Sequence, residues 1–149
     1  MIDFALQLTL LSDILERKKK ALEQILNITE NQETILKQEK SPEMVDMFNQ
    51  MAAEKQNYVE IVLQADSIFQ KNFDGLKDSF DLMAEHHLKE IKLLQAQITA
   101  ITDFDVAIRV KEKRNKEVAE AGRTIQKIQA KKVSKSYMLQ QYEKNKLKN

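Results

Sequence analysis

Lys40-Ser41-Pro42-Glu43 is the stretch on which the fold of this chain turns. A Ser before a Pro is a helix-start signal. The hydroxyl accepts from a free amide of the first turn, Pro suits the first helical position because it has no amide to satisfy, and Glu43 meets the positive helix end. Behind this signal, apolar residues recur at Phe4, Leu8, Leu11, Leu15, Leu22, Ile25 and Leu36, with a companion row at Ile14, Ala21, Ile28 and Ile35. Steps of three and four place both rows on one broad helix face. The spacing predicts a first helix from about 3 to 37, with Asp3 as its N-cap. Ahead of the signal, Met44, Phe48, Met51, Val59, Val62, Phe69 and Phe73 predict a second helix over 42–72. Helices joined by so short a turn pack as antiparallel neighbours.

Farther on, Asn72-Phe73-Asp74-Gly75 has turn chemistry, and Gly inside a helix costs about 1 kcal/mol relative to Ala. A third helix is expected over about 78–131, carried by Leu88, Ile91, Leu94, Ile98, Ile101, Ile108, Val118, Ala121, Ile125 and Ile128. Thr102-Asp103-Phe104-Asp105 marks a point where that helix either restarts or runs on, and Lys111 and Asn115 interrupt its stripe. Residues 132–149 are polar and weakly periodic, which reads as a frayed helix or a flexible basic tail. The expectation is an all-α domain over residues 1–131, its long antiparallel helices forming an elongated, coiled-coil-like bundle of three or four helices.

Composition agrees with few, long elements: the 149 residues include one Pro, two Gly and no Trp, with 32% charged and 42% apolar side chains. Helices that each bury one stripe need no more. The absence of Cys removes disulfides, thiolate metal sites and cysteine nucleophiles. No apolar run approaches the roughly 20 residues of a membrane span, and MIDFALQLTLLSD has neither a basic leader nor a small-residue cleavage site, so a soluble, cytoplasmic chain is expected. Charge is unevenly spread. Val106 to Asn149 holds 13 Lys and Arg against 4 Asp and Glu, while the chain as a whole carries +1, which leaves −8 on residues 1–105. A basic arm on an acidic body is the pattern of an interaction segment.

Signals for chemistry are weak. His86 and His87 are adjacent, and neighbours on a helix point about 100° apart, so they read as two solvated surface residues and not as a metal pair. Neither has Glu three residues before it, as di-iron bundles require. No Gly-rich phosphate loop or nucleophile elbow occurs. The expectation is no catalysis, no metal and no cofactor.

Binding signals are stronger. Met44, Met47 and Met51 form an i, i+3, i+7 row, and Met is favoured on adaptable binding surfaces, with ordinary core packing as the competing account. In the basic arm, Val118, Ala121, Ile125 and Ile128 form an apolar stripe, and Gly122 lets another backbone come close. Arg109, Lys113, Arg114, Lys116, Arg123, Lys127 and Lys131 could neutralise phosphates, yet the acidic body would repel a polyanion and no stacking aromatics punctuate the basic helix. Nucleic acid is therefore not the expected partner.

Three segments also carry a family resemblance. LTLLSDILERKKKALEQILNITENQETIL (8–36), AEKQNYVEIVLQADSIFQKNFDGL (53–76) and LLQAQITAITDFDVAIRVKEKRNKE (93–117) resemble the flagellar export chaperones of the FlgN type, with the FliT type close behind. The likeness covers about residues 5 to 130 and rests on the helix lengths, on Glu54-Lys55 ahead of a helical stripe and on Glu112-x-x-Asn115 inside the third helix. It implies a small cytoplasmic chaperone that binds the C-terminal helical region of a filament-junction or cap protein, keeps it from assembling early and delivers it to the export apparatus. In that family the C-terminal helix carries the partner, which implies binding at Val118, Ala121, Ile125 and Ile128. The alternative is a coiled-coil tether that closes its own seam as a homodimer.

Overall fold

The computed structural model describes residues 3–147, and the side chains as far as Gly122. Helix α1 spans Phe4–Leu36, α2 spans Pro42–Met83, a 3-10 turn covers Ala84–His86, and α3 spans Leu88–Leu147. Among the described residues there is no strand. Each of the first two helices starts on a side-chain cap. Asp3 Oδ1 accepts from the Leu6 amide at 3.1 Å, and Ser41 Oγ accepts from the Met44 amide at 3.2 Å, so each satisfies a donor that has no partner within its own helix.

The core lies along α1. Phe4, Leu8, Leu11, Leu15, Leu22 and Ile25 are buried together with Leu76 of α2 and with Leu94 and Ile101 of α3. Contacts between α1 and α2 step in opposite numerical order: Gln32 meets Lys55, Lys18 meets Asp66 at 2.6 Å, and Phe4 meets Phe80 edge-on at 6.0 Å. Contacts between α1 and α3 rise together, with the Ser12 carbonyl accepting from Gln97 and Glu33 paired with Lys111. Lys111, which interrupts the apolar stripe, thus has an ionic partner on α1.

Two expectations from the sequence need correcting. The second helix does not stop at Asn72-Phe73-Asp74-Gly75. Phe73 stacks on Phe69, Leu76 is 1% exposed in the core, and Gly75 sits on the outer face with nothing near its Cα hydrogens, so burial on both sides outweighs its intrinsic cost. The chain reverses instead at Ala84–His86, and His87, read as a solvated residue, is half-buried with its ring 5.1 Å from that of Phe4. Of the two readings open at Thr102-Asp103-Phe104-Asp105, helix α3 runs on, with Phe104 packed against the core. It continues as helix to Leu147, through most of the stretch read as a frayed helix or a flexible tail. The chain divides into a unit of residues 1–112, which holds the core just described, and a unit of 113–149, helical as far as Leu147.

A furrow between α2 and α3

The candidate site lies along the edge of the α2 face that packs on α1, where Lys55 reaches Gln32 and Val59 and Val62 pack against the core. Ala52, Lys55, Val59 and Val62 recur at steps of three and four, with Gln56 and Leu63 on the edge of the same stripe. Across from them α3 presents Asp105, Ile108, Arg109 and Glu112, again within two turns of one face. Leu22 and Ile25 of α1 form the floor. The furrow holds about 410 Å³ and is open to solvent. Among its lining residues Leu63 is 61% exposed.

A second cavity of about 220 Å³ follows along the same helix pair, walled by Ala65, Asp66 and Phe69 of α2 and by Ile98, Ile101 and Thr102 of α3. Asp105 lines both. From Ile98 to Glu112 the α3 wall runs about 20 Å at 1.5 Å per residue.

Polar groups fix the two ends. At one end Lys55 Nζ donates to Glu112 Oε1 and to Gln32 Oε1, both at 2.5 Å, and Thr29 Oγ1 donates to the Ile25 carbonyl at 2.7 Å. Thr29 and Gln32 are 0% and 2% exposed, so this knot ties all three helices through buried partners. Toward the other end the Lys18–Asp66 pair bridges α1 and α2. Outside the furrow, hydrogen bonds from Lys111 and then Lys37 hold the Glu33 carboxyl below the usual carboxylate range.

Among the described residues no group of three or more His, Asp or Glu side chains is placed to hold a metal ion. Beyond its apolar walls the furrow offers charged and amide groups. That arrangement suits a docked apolar surface.

The residues singled out in the sequence fall elsewhere. Met44 and Met51 are half-buried and Met47 is 46% exposed, and none of the three lines the furrow. Val118, Ala121 and Gly122 are exposed, and nothing lies within 4 Å of where a Gly122 Cβ would stand. Ile125 and Ile128 lie outside the described side chains. Leu63 escaped notice, Asp105 was read only as part of a possible helix restart, and Arg109 only as one of several surface cations. Leu63 beside Val62 widens the apolar stripe of α2 beyond what one neighbour can cover, and that width was the available signal.

No protein-family model, curated protein or solved structure matches this chain.

Proposed function

We propose that this chain is a holding protein that seats a helix of a partner in the furrow between α2 and α3, and that it serves as a cytoplasmic export chaperone for a flagellar filament-junction or cap protein. The observation that carries the holding function is the furrow itself: an apolar trough with a preformed floor, left open by helices that both pack on α1. The opposed numbering of α1–α2 contacts and the matched numbering of α1–α3 contacts support an elongated antiparallel, coiled-coil-like arrangement of three helices. In such a bundle the furrow is the place of a fourth helix, supplied by the partner. The resemblance of residues 8–36, 53–76 and 93–117 to FlgN-type chaperones supports the client class. No helix among the described residues is long and apolar enough to cross a membrane.

The test is crosslinking in the source cell followed by purification of the tagged chain, with Leu63→Glu as comparison. Leu63 is mostly exposed, so the variant keeps its fold. A filament-junction or cap subunit captured by the unaltered chain and lost from the variant is the expected result. Capture of the chain alone, as a tight homodimer, would replace this function with that of a tether. A client retained in full by the variant would move the site, and Val118→Asp with Ala121→Asp on the basic arm would be tried next.

A further inference from the structure

We propose that the furrow selects its partner helix by charge as well as by apolar fit, taking a helix of about four turns whose apolar stripe is flanked by a cation opposite Asp105 and an acid opposite Arg109. This rests on the furrow being the partner site. Of its charged lining residues, Lys55 is paired with Glu112 and Lys18 with Asp66. Among the described residues, the side chains of Asp105 and Arg109 take part in no ion pair or hydrogen bond.

The two stand one helical turn apart on the same lip of α3, about 6 Å along the axis. Asp105 is half-buried already and lines both cavities. A wholly apolar helix laid over it would strip water from a carboxylate and return nothing, which is costly in a closing interface. A Lys or Arg delivered to that point removes the penalty, and an acid four residues away meets Arg109. Charge therefore decides between apolar helices that the walls alone would accept equally. The basic arm of a second copy would answer Asp105 but would set its surplus of positive charge against Arg109.

The test uses the full chain and three dye-labelled, Ala-rich helical peptides of about 16 residues with one shared Leu stripe. They differ only at two flanking positions four residues apart: Glu and Lys, Lys and Lys, or Glu and Glu. Binding is followed by fluorescence anisotropy at low salt. The unaltered chain should bind the mixed peptide about tenfold more tightly than the Glu-Glu peptide. Arg109→Asp should shift the preference to Lys-Lys, and Asp105→Arg to Glu-Glu, with circular dichroism unchanged in both. Equal affinity for all three peptides, abolished by Leu63→Glu, would leave the furrow as the site and overturn the charge selection. Failure of every peptide to bind, or binding indifferent to Leu63→Glu, would overturn both. A homodimer that Leu63→Glu dissociates would show that a second copy fills the furrow, and would overturn the proposed occupant.

Discussion

Helices α1 and α2 are both long and amphipathic and both start on a side-chain cap, yet they are used in opposite ways. Eleven of the 33 residues of α1 are buried, from Phe4 to Ile35, against Ala65 and Leu76 alone among the 42 of α2. Helix α1 has neighbours along its whole length, whereas α2 leans on it with part of a stripe and leaves the rest open. An apolar stripe on a helix therefore states that the face can be covered, and the neighbours decide whether it is. Where α2 is uncovered, the chain has a trough in place of a core.

The contrast is broken most severely in the core of α1. Leu11 is 0% exposed, and Leu11→Ala should cost about 2–5 kcal/mol through lost burial and a residual cavity, whereas Leu63→Ala, at an exposed lip, should change stability by less than about 0.5 kcal/mol. Chemical denaturation of both variants measures the gap. Comparable losses would mean that Leu63 belongs to the core and that the furrow is closed in solution.

Because so little of α2 is buried, its local backbone terms should show clearly. Ser41→Ala removes the cap to Met44 and should lower stability by about 1 kcal/mol. Gly75→Ala should raise it by about 0.5–1 kcal/mol, since the site has no positive φ and an added Cβ meets nothing within 4 Å. Denaturation midpoints moving in opposite directions confirm a continuous α2. A loss at Gly75→Ala would place a turn there.

The smallest expected effect is at the end of α1. The folded-state pKa of Glu33 is depressed by Lys111 and Lys37, so its contribution is present above the unfolded carboxylate pKa and is lost as pH falls through the depressed one. The difference in Tm between the unaltered chain and Glu33→Gln should hold steady down to about pH 5 and shrink toward about pH 2. A difference that does not vary with pH would show that the ion pairs contribute nothing in solution.

The same contrast explains what the sequence disclosed. Helix starts were legible at Asp3 and at Ser41-Pro42, because caps are written in one or two residues and act locally. The buried face of α1 was legible from its period, because nearly every apolar position on it finds a partner. The reversal near His87 was not legible: Ala84-Glu85-His86-His87 contains no Gly, Pro or Asx signal, and the ring contact with Phe4 is made across more than 80 residues of chain. Asn72-Phe73-Asp74-Gly75 misled for the converse reason, since its local chemistry favours a turn and long-range burial of Leu76 prevails. The furrow required knowing which stretch of α2 stays uncovered, a property of three helices at once that no single stripe encodes.

The five-residue link Lys37–Ser41 has a consequence for the order in which the molecule is made. Synthesis runs from the N-terminus, and contacts across a short loop close first. The α1–α2 hairpin is therefore complete while α3 is still inside the ribosome. The α1 surface destined for Leu94 and Ile101 then waits uncovered, and the furrow has only one wall. The furrow cannot gain its second wall until residues through Glu112 have emerged and folded back, so its completion is timed by translation itself.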